Sequence, residues 1–347
     1  MDHRPRERVP VLADVARVAG VSVPTVSRVL TGATPVSDKT RKRVDDAILE
    51  LGYRPNEAAR ALVRGRQSMV GIIAGNTTRF GYAATIQGIE EAARAAGLLV
   101  AITVVNSATE ADVKAAVDLM LGQPLAGVIV LDFDLQGERA LSALPETLPI
   151  AVVTSTNDGR AARRVLFDDH KGGYEATKYL LSLGHETVHY VAVPSSGRPS
   201  GRLVGWREAL LEAGRKVPEV VLADWSAQSG FEAGLILAGL SDVTAVLSGN
   251  DEIAFGVMKA LQLNGLSVPD DVSVVGFDDH PHAVLWSPSL TTMAQDFVQL
   301  GASALHLLVA EREGADGPAD ASSPSPHLIV RDSTAPPRAG GAGRTIH

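Results

Sequence analysis

The chain has 347 residues, enough for two or three domains, and 45% of them are hydrophobic, which excludes an intrinsically disordered protein. It contains no Cys, so disulfides and thiolate metal sites are also excluded. The formal net charge of −8 is unevenly spread, because residues 1–66 carry 13 Lys or Arg against 8 Asp or Glu, whereas the remainder carries 19 against 32. A basic N-terminal segment on an acidic body predicts that this segment alone meets a polyanion.

The first residues show no feature of a leader or a membrane anchor. The opening stretch MDHRPRERVPV is charged and lacks the apolar core of about seven residues that a signal peptide needs. No apolar stretch approaches the roughly 20 residues that span a bilayer. We therefore expect a cytoplasmic protein without membrane contact.

Residues 12–51 predict three short helices. Gly20 can end the first helix, and the hydroxyls of Ser22 and Ser37 can cap the second and third by accepting backbone N–H groups. Apolar residues recur at helical spacing on one face of each helix: Leu12, Val15, Ala16, Ala19, Val26, Val29, Leu30, Val44, Ala47, Ile48 and Leu51. A tight glycine turn between the first two helices is typical of a helix-turn-helix unit, although a small bundle that only dimerises would share the pattern.

Basic and hydroxyl side chains favour DNA as the partner of this unit. Arg28 lies on the polar side of the second helix, where its guanidinium can pair with a guanine edge. Four further cations crowd the start of the third helix: Lys39, Arg41, Lys42 and Arg43. Short hydroxyl side chains accompany them: Ser22, Thr25, Ser27 and Thr40. Such groups fix proteins to DNA phosphates, so the unit is predicted to bind DNA.

The stretch LADVARVAGVSVPTVSRVLTG, followed by VSDKTRKRVDDAILELGYRPNEAARAL, resembles the head of the LacI/GalR (lactose repressor/galactose repressor) family of bacterial transcription regulators. The resemblance implies that the second helix enters the major groove with Val23, Pro24 and Arg28 at its base-reading positions. It also implies further DNA contacts from Leu12, Ser22, Thr25, Ser27, Ser37, Thr40 and Asn56.

Residues 55–68, PNEAARALVRGRQS, read as a short helix that ends at Gly65, with a plain linker as the alternative. A helix this short is marginal by itself, so we expect it to need a packing partner. The resemblance implies that the partner is a second hinge helix in the DNA minor groove. Leu62 is then the apolar wedge that opens a base step, and Ala59 lets the paired helices approach. Such wedging kinks the duplex.

From Ser68 onward, apolar β-rich runs alternate with helical stretches. The runs MVGIIA, LLVAITVV, AGVIVL and PIAVVT are predicted as buried parallel strands, and the alternation restarts after about residue 168. Two successive runs of this kind predict two doubly wound lobes with a ligand cleft at the carboxyl ends of their strands. This body also resembles the sugar-sensing core of the family, which is of periplasmic-binding-protein-like type.

The expected fold class is an N-terminal all-α helix-turn-helix head followed by this two-lobed α/β body. We expect a DNA-binding domain over residues 10–54, a hinge helix over 55–67, and a two-lobed effector-binding and dimerisation domain over 68–334. Residues 312–326 are predicted as a flexible insertion, and residues 335–347 as a disordered tail, because both are polar and rich in Pro or Gly.

Polar side chains follow predicted strands or enter predicted helices of the body. Arg202 stands where a loop enters a helix, Asn250 and Asp251 follow the strand AVLS, and Asp278 and Asp279 follow VSVVGF. Each carboxylate alone is more often a turn former or a helix cap. Together they offer the paired donors and acceptors that sugar hydroxyls need. The resemblance implies that Arg202, Asn250 and Asp278 bind the effector.

Aromatic side chains are candidates for the walls of the same site. Trp225 could be a core residue, but the resemblance implies that it lies against the apolar face of a sugar, with Phe297 as another wall. Phe80 and Tyr82 could add to the site from the N-terminal lobe. Ser155 stands where the resemblance places an acidic ligand, which argues against a galactoside effector.

No catalytic or metal site is predicted. The stretch HETVH, residues 185–189, matches a zinc-protease pattern, but it reads as a strand, in which residues four apart lie roughly 13 Å from each other. That separation does not allow both His to bind one zinc. No dinucleotide-binding, P-loop or nucleophile-elbow motif occurs in the sequence. We therefore expect neither an enzyme nor a cofactor.

These features predict a sequence-specific transcriptional regulator, most simply a repressor, that binds double-stranded operator DNA. Its effector is expected to be a mono- or disaccharide in the cleft. Because the C-terminal heptads of a tetrameric family member are missing, we expect a homodimer on a pseudo-palindromic operator. A soluble sugar-binding protein without a DNA role would share the lobes but has no use for a basic head.

Overall fold

The computed structural model describes residues 10–31, 35–53, 68–155, 162–194, 199–312, 314, 320–322 and 324–338. The chain divides into two compact units, residues 1–67 and residues 68–347. Within the described ranges, no helix is both long and apolar enough to cross a membrane.

The first unit contains the three helices predicted from the sequence: α1 (Leu12–Ala19), α2 (Val23–Thr31) and α3 (Asp38–Leu51). Gly20 ends α1 in the left-handed conformation, with φ of 62°, which glycine adopts without strain. Their buried faces form one small core: Val15, Ala16, Ala19, Val26, Val29, Val44 and Ala47. These are positions that the helical spacing predicts as buried.

Two serine hydroxyls begin α2 and α3. The Oγ of Ser22 accepts a hydrogen bond from the N–H of Thr25 at 3.4 Å, and the Oγ of Ser37 accepts one from the N–H of Thr40 at 3.4 Å. The two predicted caps are therefore present, and each satisfies a backbone donor that the helix itself leaves unpaired.

The second unit begins with an N-terminal lobe built on a six-stranded parallel sheet in the order β11-β5-β4-β3-β1-β2. Its first elements are β1 (Met69–Ala74), α4 (Phe80–Ala95), β2 (Leu99–Val104), α5 (Glu110–Leu121), β3 (Leu125–Asp132), α6 (Leu135–Ala143), β4 (Ile150–Thr154) and β5 (Arg163–Leu166). The lobe is completed from the C-terminal part of the chain by α11 (Phe297–Arg312) and β11 (Asp320–Ser322).

The C-terminal lobe has a second six-stranded sheet in the order β12-β10-β9-β8-β6-β7. Its elements are α7 (Asp169–Ser182), β6 (His189–Ala192), α8 (Gly201–Glu212), β7 (Val221–Leu222), α9 (Ala227–Ala238), β8 (Ala245–Ser248), α10 (Asp251–Leu263), β9 (Ser273–Asp278), β10 (Thr291–Ala294) and β12 (His327–Ile329). All pairs are parallel except β10 with β12. The predicted two-lobed α/β architecture is confirmed.

The chain passes between the lobes more than once. It leaves the N-terminal lobe between β5 and α7, returns between β10 and α11, and leaves again between β11 and β12. Helix α11 packs beside α4 although some 200 residues separate them in sequence. The first two crossings lie at residues 167–168 and 295–296, next to the carboxyl ends of the strands that they follow.

Two pairs of neighbouring helices approach each other closely, and each pair has a glycine at the point of contact. A Cβ atom on Gly88 of α4 would lie 1.9 Å from the carbonyl oxygen of Val298 in α11, and one on Gly205 of α8 would lie 2.0 Å from the carbonyl oxygen of His170 in α7. Any side chain at these positions would force the backbones apart, so each lobe depends on a glycine at a helix crossing.

Three predictions about the body are wrong in part. Strand β2 is not buried: it is the outermost strand of its sheet, and Leu99 is 62% exposed. Residues 320–322 of the predicted flexible insertion pair with β5 as a strand. Residues 335–338 of the predicted disordered tail are bonded, because Ala335 pairs with Ser273 and Arg338 lies 2.9 Å from Asp271. Local composition does not reveal such distant partners.

The HETVH stretch forms no metal site. The strand begins only at His189, later than predicted. His185 is buried and lies within 3.0 to 3.1 Å of the hydroxyls of Thr244 and Ser273. The ring of His189 faces Asp242 instead, at 3.8 Å. In the part of the chain that the structure describes, no group of three His, Asp or Glu residues could hold a metal ion.

Candidate functional site

A cavity of about 960 Å³, including the space open to solvent at its mouth, lies between the two lobes of the second unit. The seven residues predicted to bind an effector all line it: Phe80, Tyr82, Arg202, Trp225, Asn250, Asp278 and Phe297. The fold thus brings together side chains that are up to 217 positions apart; their binding role stays a prediction.

Arg202 is the central cation of the cavity and only 4% exposed. Its Nε donates to Oδ1 of Asp169 at 3.0 Å, its Nη2 lies 3.3 Å from Oδ1 of Asp278, and its Nη1 donates to the carbonyl oxygen of Gly249. The guanidinium also stacks 3.9 Å from the ring centre of Phe277. Burial opposes its charge, but Asp169 and Asp278 outweigh burial and raise the pKa of Arg202. The side chain is therefore held in one position, with a fixed charge.

Three carboxyl groups that line the cavity from the C-terminal lobe are shielded from water: Asp251, Glu252 and Asp278. Burial raises the pKa of Asp278 to about 7, although the nearby Arg202 pulls it down. Burial likewise raises the pKa of Asp251 and of Glu252. Asp278 also has a φ of 106°, a left-handed backbone conformation that few non-glycine residues adopt. Such strain next to a cavity is common at functional sites.

Asn250 and Tyr82 line the cavity, but their polar atoms already have partners inside the protein. The Oδ1 of Asn250 accepts from the N–H of Ile253 at 2.8 Å and so caps α10, and its Nδ2 donates to the carbonyl oxygen of Trp225 at 3.3 Å. The Oη of Tyr82 donates to Oδ2 of Asp134 at 2.5 Å. These bonds fix both side chains in the wall, and the binding role predicted for them stays a prediction.

Two contacts reach across the cavity from one lobe to the other. The ring of Phe80, on α4, lies 5.0 Å from the ring of His280, which follows β9. The guanidinium of Arg79, which precedes α4, lies 5.6 Å from the ring centre of Trp225, a favourable cation–π distance. Both contacts therefore join the two lobes across the cavity.

The predicted DNA-contacting residues of the first unit lie on its surface or near it. Ser22, Val23, Pro24, Arg28 and Ser37 are exposed, and Leu12, Thr25, Ser27 and Thr40 are half-buried. The cations of α3, Lys39, Arg41, Lys42 and Arg43, are exposed as well. Asn56, Ala59 and Leu62 lie outside the described residues. The first unit thus presents one helix with an exposed Val23-Pro24 start and another with a basic start.

Residues 11–56 match the family of bacterial regulatory proteins of the lacI type, and residues 177–334 match a periplasmic binding protein-like domain. The chain is 33% identical over 334 residues to the HTH-type transcriptional regulator DegA of Bacillus subtilis strain 168, an alignment that covers 93% of this chain and 97% of DegA. The chain belongs to the LacI family. It is a DNA-binding transcriptional regulator with an effector-binding domain, as its relatives are, and not an enzyme.

Solved structures of LacI-family proteins have the same fold over nearly the whole chain. The lac repressor dimer bound to operator and the anti-inducer ONPF matches with a TM-score of 0.86 at 31% identity, covering 94% of this chain and 100% of that one. The complex of the transcriptional regulator CelR with cellobiose matches with a TM-score of 0.69 at 30% identity, covering 93% and 99%.

Sequence reasoning misses several residues that line the cavity of this LacI-family protein. Asp169, the main partner of Arg202, follows β5, a strand with too few apolar residues to be predicted. Arg79, Glu252 and His280 also line the cavity. Glu252 and His280 each stand within two residues of a predicted site residue, so adjacency to Asn250 and Asp278 could have revealed them.

The stability of this LacI-family regulator should depend on pH through Asp278. The folded protein holds the proton of this carboxyl up to about pH 7, whereas an unfolded Asp releases it near pH 3.9. Between these values the folded state binds more protons at this carboxyl, so the contribution of Asp278 to the free energy of unfolding should fall as the pH rises from about 4 to about 7. Urea unfolding at pH 5 and pH 7.5, followed by Trp fluorescence, measures this slope.

The Asp278→Asn variant should show a flatter slope, because it has no proton to lose at that position. Asp118→Asn, on the exposed face of α5, is the matched control and should keep the wild-type slope. All three Trp residues, at 206, 225 and 286, lie in the second unit, so the fluorescence reports on that unit alone. Equal slopes in wild type and Asp278→Asn would contradict the prediction.

Proposed function

We propose that this regulator is a repressor that binds a pseudo-palindromic operator as a homodimer and is controlled by a sugar in the cleft between its lobes. Because operator DNA is its proposed target, the proposed location of the regulator is the cytoplasm. The domains follow the sequence prediction: a DNA-binding domain over residues 10–54, a hinge over 55–67 and an effector-binding domain over 68–334.

The observation that carries the proposal is the buried cluster of Arg202, Asp169 and Asp278 beside Trp225 in one cavity. Sugar hydroxyls both donate and accept hydrogen bonds. A guanidinium can donate to them and a carboxylate can accept from them, and both groups are held at fixed positions here. The less polar face of a sugar ring packs well against an aromatic ring, which Trp225 offers. The cavity combines both requirements. Cellobiose in the CelR complex supports a saccharide of one or two rings.

In the first unit, Arg28 is proposed as the main hydrogen-bonding reader of bases. Val23 and Pro24 cannot donate from their side chains, so they are proposed to read by apolar contact, for example with a thymine methyl. Leu62 is proposed as the wedge in the minor groove, where Ala59 lets the paired hinge helices approach each other. Phosphate contacts are proposed for Ser22, Thr25, Ser27, Ser37, Thr40 and Asn56, and Leu12 is proposed as a further DNA contact.

Exposed apolar side chains of the second unit support the homodimer. Each sheet has one edge strand with an exposed leucine: Leu99 of β2 is 62% exposed, and Leu222 of β7 is 81% exposed. In the turn after β9, Leu285 is 78% exposed and stands between Val284 and Trp286, which are also exposed. Residues 284–286 are a run of three exposed apolar side chains, and apolar patches of this kind are typical of surfaces that another chain covers. A dimer matches two heads to the two halves of an operator.

Control by the sugar requires that the sugar and the operator DNA prefer different arrangements of the dimer. A sugar that stabilises the lobe arrangement disfavoured by DNA lowers DNA affinity by its differential binding energy, typically about 1 to 3 kcal/mol. The cross-lobe contacts of Phe80 with His280 and of Arg79 with Trp225 are the groups that such a ligand would meet.

The proposed function is tested by electrophoretic mobility shift with DNA from upstream of the protein's own coding sequence. We expect a specific complex whose affinity falls steeply with salt, because bound phosphates release counterions. Adding mono- and disaccharides from a panel should dissociate the complex. If a saccharide instead tightens the complex, the sugar acts as a co-repressor and not as an inducer. If no complex forms even at low salt, the proposal is refuted.

The Arg28→Ala variant should weaken the specific complex by about 1 to 3 kcal/mol, or roughly 5- to 150-fold, because one bidentate base contact is lost. The decisive measurement is the ratio of specific to non-specific affinity, which should drop. Arg94→Ala, on the exposed face of α4 and paired with Glu90, is the matched control and should leave both affinities unchanged. If Arg28→Ala lowers both affinities equally, Arg28 contacts phosphate and not a base.

A further inference from the structure

The charges that line the cavity are unbalanced, and from this imbalance we infer that the effector carries a protonated amino group. In chemical terms the effector is an amino sugar whose ammonium group pairs with Glu252 on the C-terminal lobe. The inference rests on the proposed function, because it takes a sugar-type effector in this cavity as given. What it adds is the functional group that distinguishes this effector from a neutral sugar, and the side chain that selects it.

Acidic groups outnumber basic ones around the cavity. Among the described residues that line it there are two arginines, Arg79 and Arg202, and no lysine. His280 also lines the cavity, but burial lowers the pKa of its imidazole, so the ring favours its neutral form. Five carboxyl groups share the lining with these residues: Asp132, Asp169, Asp251, Glu252 and Asp278. A positively charged ligand would offset the acidic excess, whereas an anionic ligand would add to it.

Only some of these carboxyl groups are paired inside the protein. Three of the five accept hydrogen bonds from side chains of the protein at 2.6 to 3.0 Å: Asp132, Asp169 and Asp251. Glu252 has no hydrogen bond or ion pair with another residue of the described ranges. The buried Oδ1 of Asp278 accepts no hydrogen bond from the described part of the chain and has Arg202 as an ionic neighbour at 3.3 Å. The acceptors that remain for a ligand are therefore on Glu252 and Asp278.

Glu252 stands in the first turn of α10, a position that suits a carboxylate because the start of a helix carries partial positive charge. Burial nevertheless raises the pKa of Glu252, so neither the helix nor the neighbouring Arg79 fully compensates for the lost contact with water. Burial also raises the pKa of Asp278 to about 7. Both carboxyl groups would therefore gain from an additional cation nearby.

The wall formed by Trp225 and Glu252 already accommodates one cation of the protein itself. The guanidinium of Arg79, from the other lobe, lies 5.6 Å from the ring centre of Trp225. Its charge opposes the effect of burial on the pKa of Glu252. Because aromatic faces attract cations, the ring and the carboxylate together present a surface that suits a positive charge. An ammonium group on a sugar ring that packs against Trp225 would meet the same surface.

An ammonium group fits the unpaired acceptors of the cavity better than a hydroxyl does. It donates three hydrogen bonds and accepts none, whereas a hydroxyl also offers an acceptor that needs a donor. Hydrogen bonds that involve charged groups are roughly twice as strong as those between neutral groups. Acetylation of the amino group removes its charge, so an N-acetylated sugar should lose this advantage.

Matched saccharides test the inference. D-glucosamine, D-galactosamine, D-mannosamine and the glucosamine analogue of cellobiose each have two neutral counterparts, the parent sugar and the N-acetylated form. Calorimetric titration of the full-length protein is carried out at pH 7, where an amine is largely protonated. For at least one set, the Kd of the amino sugar should lie at least about tenfold below the Kd of both neutral counterparts, or about 1.4 kcal/mol.

Two variants should shift this preference in opposite directions. Glu252→Gln keeps the shape of the side chain but removes its charge, so the ratio of the neutral-sugar Kd to the amino-sugar Kd should fall by about fivefold or more. Arg79→Ala removes the cation that competes for the same carboxylate, so the ratio should rise. Glu186→Gln, at an exposed position of the same lobe outside the cavity lining, is the matched control and should keep the wild-type ratio. Urea unfolding of each variant verifies that it is folded.

The outcomes separate the two proposals. If a neutral counterpart binds as tightly as the amino sugar in every set that binds, the amino-group inference is overturned while the sugar effector stands. If the preference is present but folded Glu252→Gln keeps the wild-type ratio, the ammonium lies elsewhere, and the inference is overturned too. Should Glu252→Gln not fold, a ratio that does not rise in Arg79→Ala has the same meaning. If no saccharide binds, amino sugars included, the proposed sugar effector itself fails.

Discussion

Replacing Arg202 by alanine should lower the unfolding free energy of the second unit by about 3 to 5 kcal/mol and abolish effector binding. The guanidinium is 4% exposed, and it bonds Asp169 and faces Asp278. Its removal would leave the buried Asp169 carboxylate without its cation and would raise the pKa of Asp278 further, since Arg202 is the group that lowers it. The loss of the stacking contact with Phe277 adds to the cost.

Urea unfolding followed by Trp fluorescence measures the loss of unfolding free energy, and titration with saccharides measures effector binding. Arg207→Ala is the matched control, because this arginine lies on the same helix, α8, but is exposed. A double variant that joins Arg202→Ala with Asp169→Asn should recover part of the lost stability, since it removes the carboxylate that Arg202 pairs with at 3.0 Å. A cost for Arg202→Ala below about 1 kcal/mol would show that water screens the cluster, as it does surface pairs.

Replacing Val44 by aspartate should unfold the first unit and remove specific DNA binding. Val44 is fully buried in the small core shared by α1, α2 and α3. A unit of about 45 residues has a stability of roughly 2 to 7 kcal/mol, at 0.05 to 0.15 kcal/mol per residue. An unpaired carboxylate in that core costs more than about 4 kcal/mol. The cost is therefore comparable with the whole stability of the unit.

Mobility shifts and circular dichroism check the effect on the first unit. Effector binding, followed by the fluorescence of Trp residues that all lie in the second unit, should remain. Leu49→Asp places the same charge on the same helix at a position that is 80% exposed, and it should keep DNA binding. If both variants bind DNA equally well, Val44 does not support the fold in the way that its burial indicates.

Local signals explain why the first unit is predictable from sequence. Gly20, Ser22 and Ser37 act on the backbone within a few residues of themselves, and the spacing of Val15, Val26 and other apolar residues follows from helix geometry alone. The residues that line the cavity are predictable for a related reason, because the carboxyl ends of parallel strands meet at one edge. Arg202 and Asp278 are brought together in this way.

Partners that are distant in sequence explain what is missed. The exposure of β2 depends on its place at the edge of the sheet, and the ordering of Ala335 depends on Ser273, neither of which a local pattern contains. Asn250 shows another limit: an amide after a strand can cap a helix or bind a ligand, and both roles use the same oxygen. The structure shows the cap. Asp169 is missed because the strand before it has only two buried residues.

The carboxylate of Asp169 ties the ligand pocket to the points where the chain changes lobes. Its Oδ1 accepts a hydrogen bond from Arg202 at 3.0 Å and another from Nε2 of Gln295 at 3.2 Å. Asp169 directly follows the first crossing between the lobes, and Gln295 lies in the second. The two crossings are thus bonded to each other through the same carboxylate oxygen that accepts from Arg202. A ligand that displaced Arg202 in the proposed site would therefore disturb a group shared by both crossings.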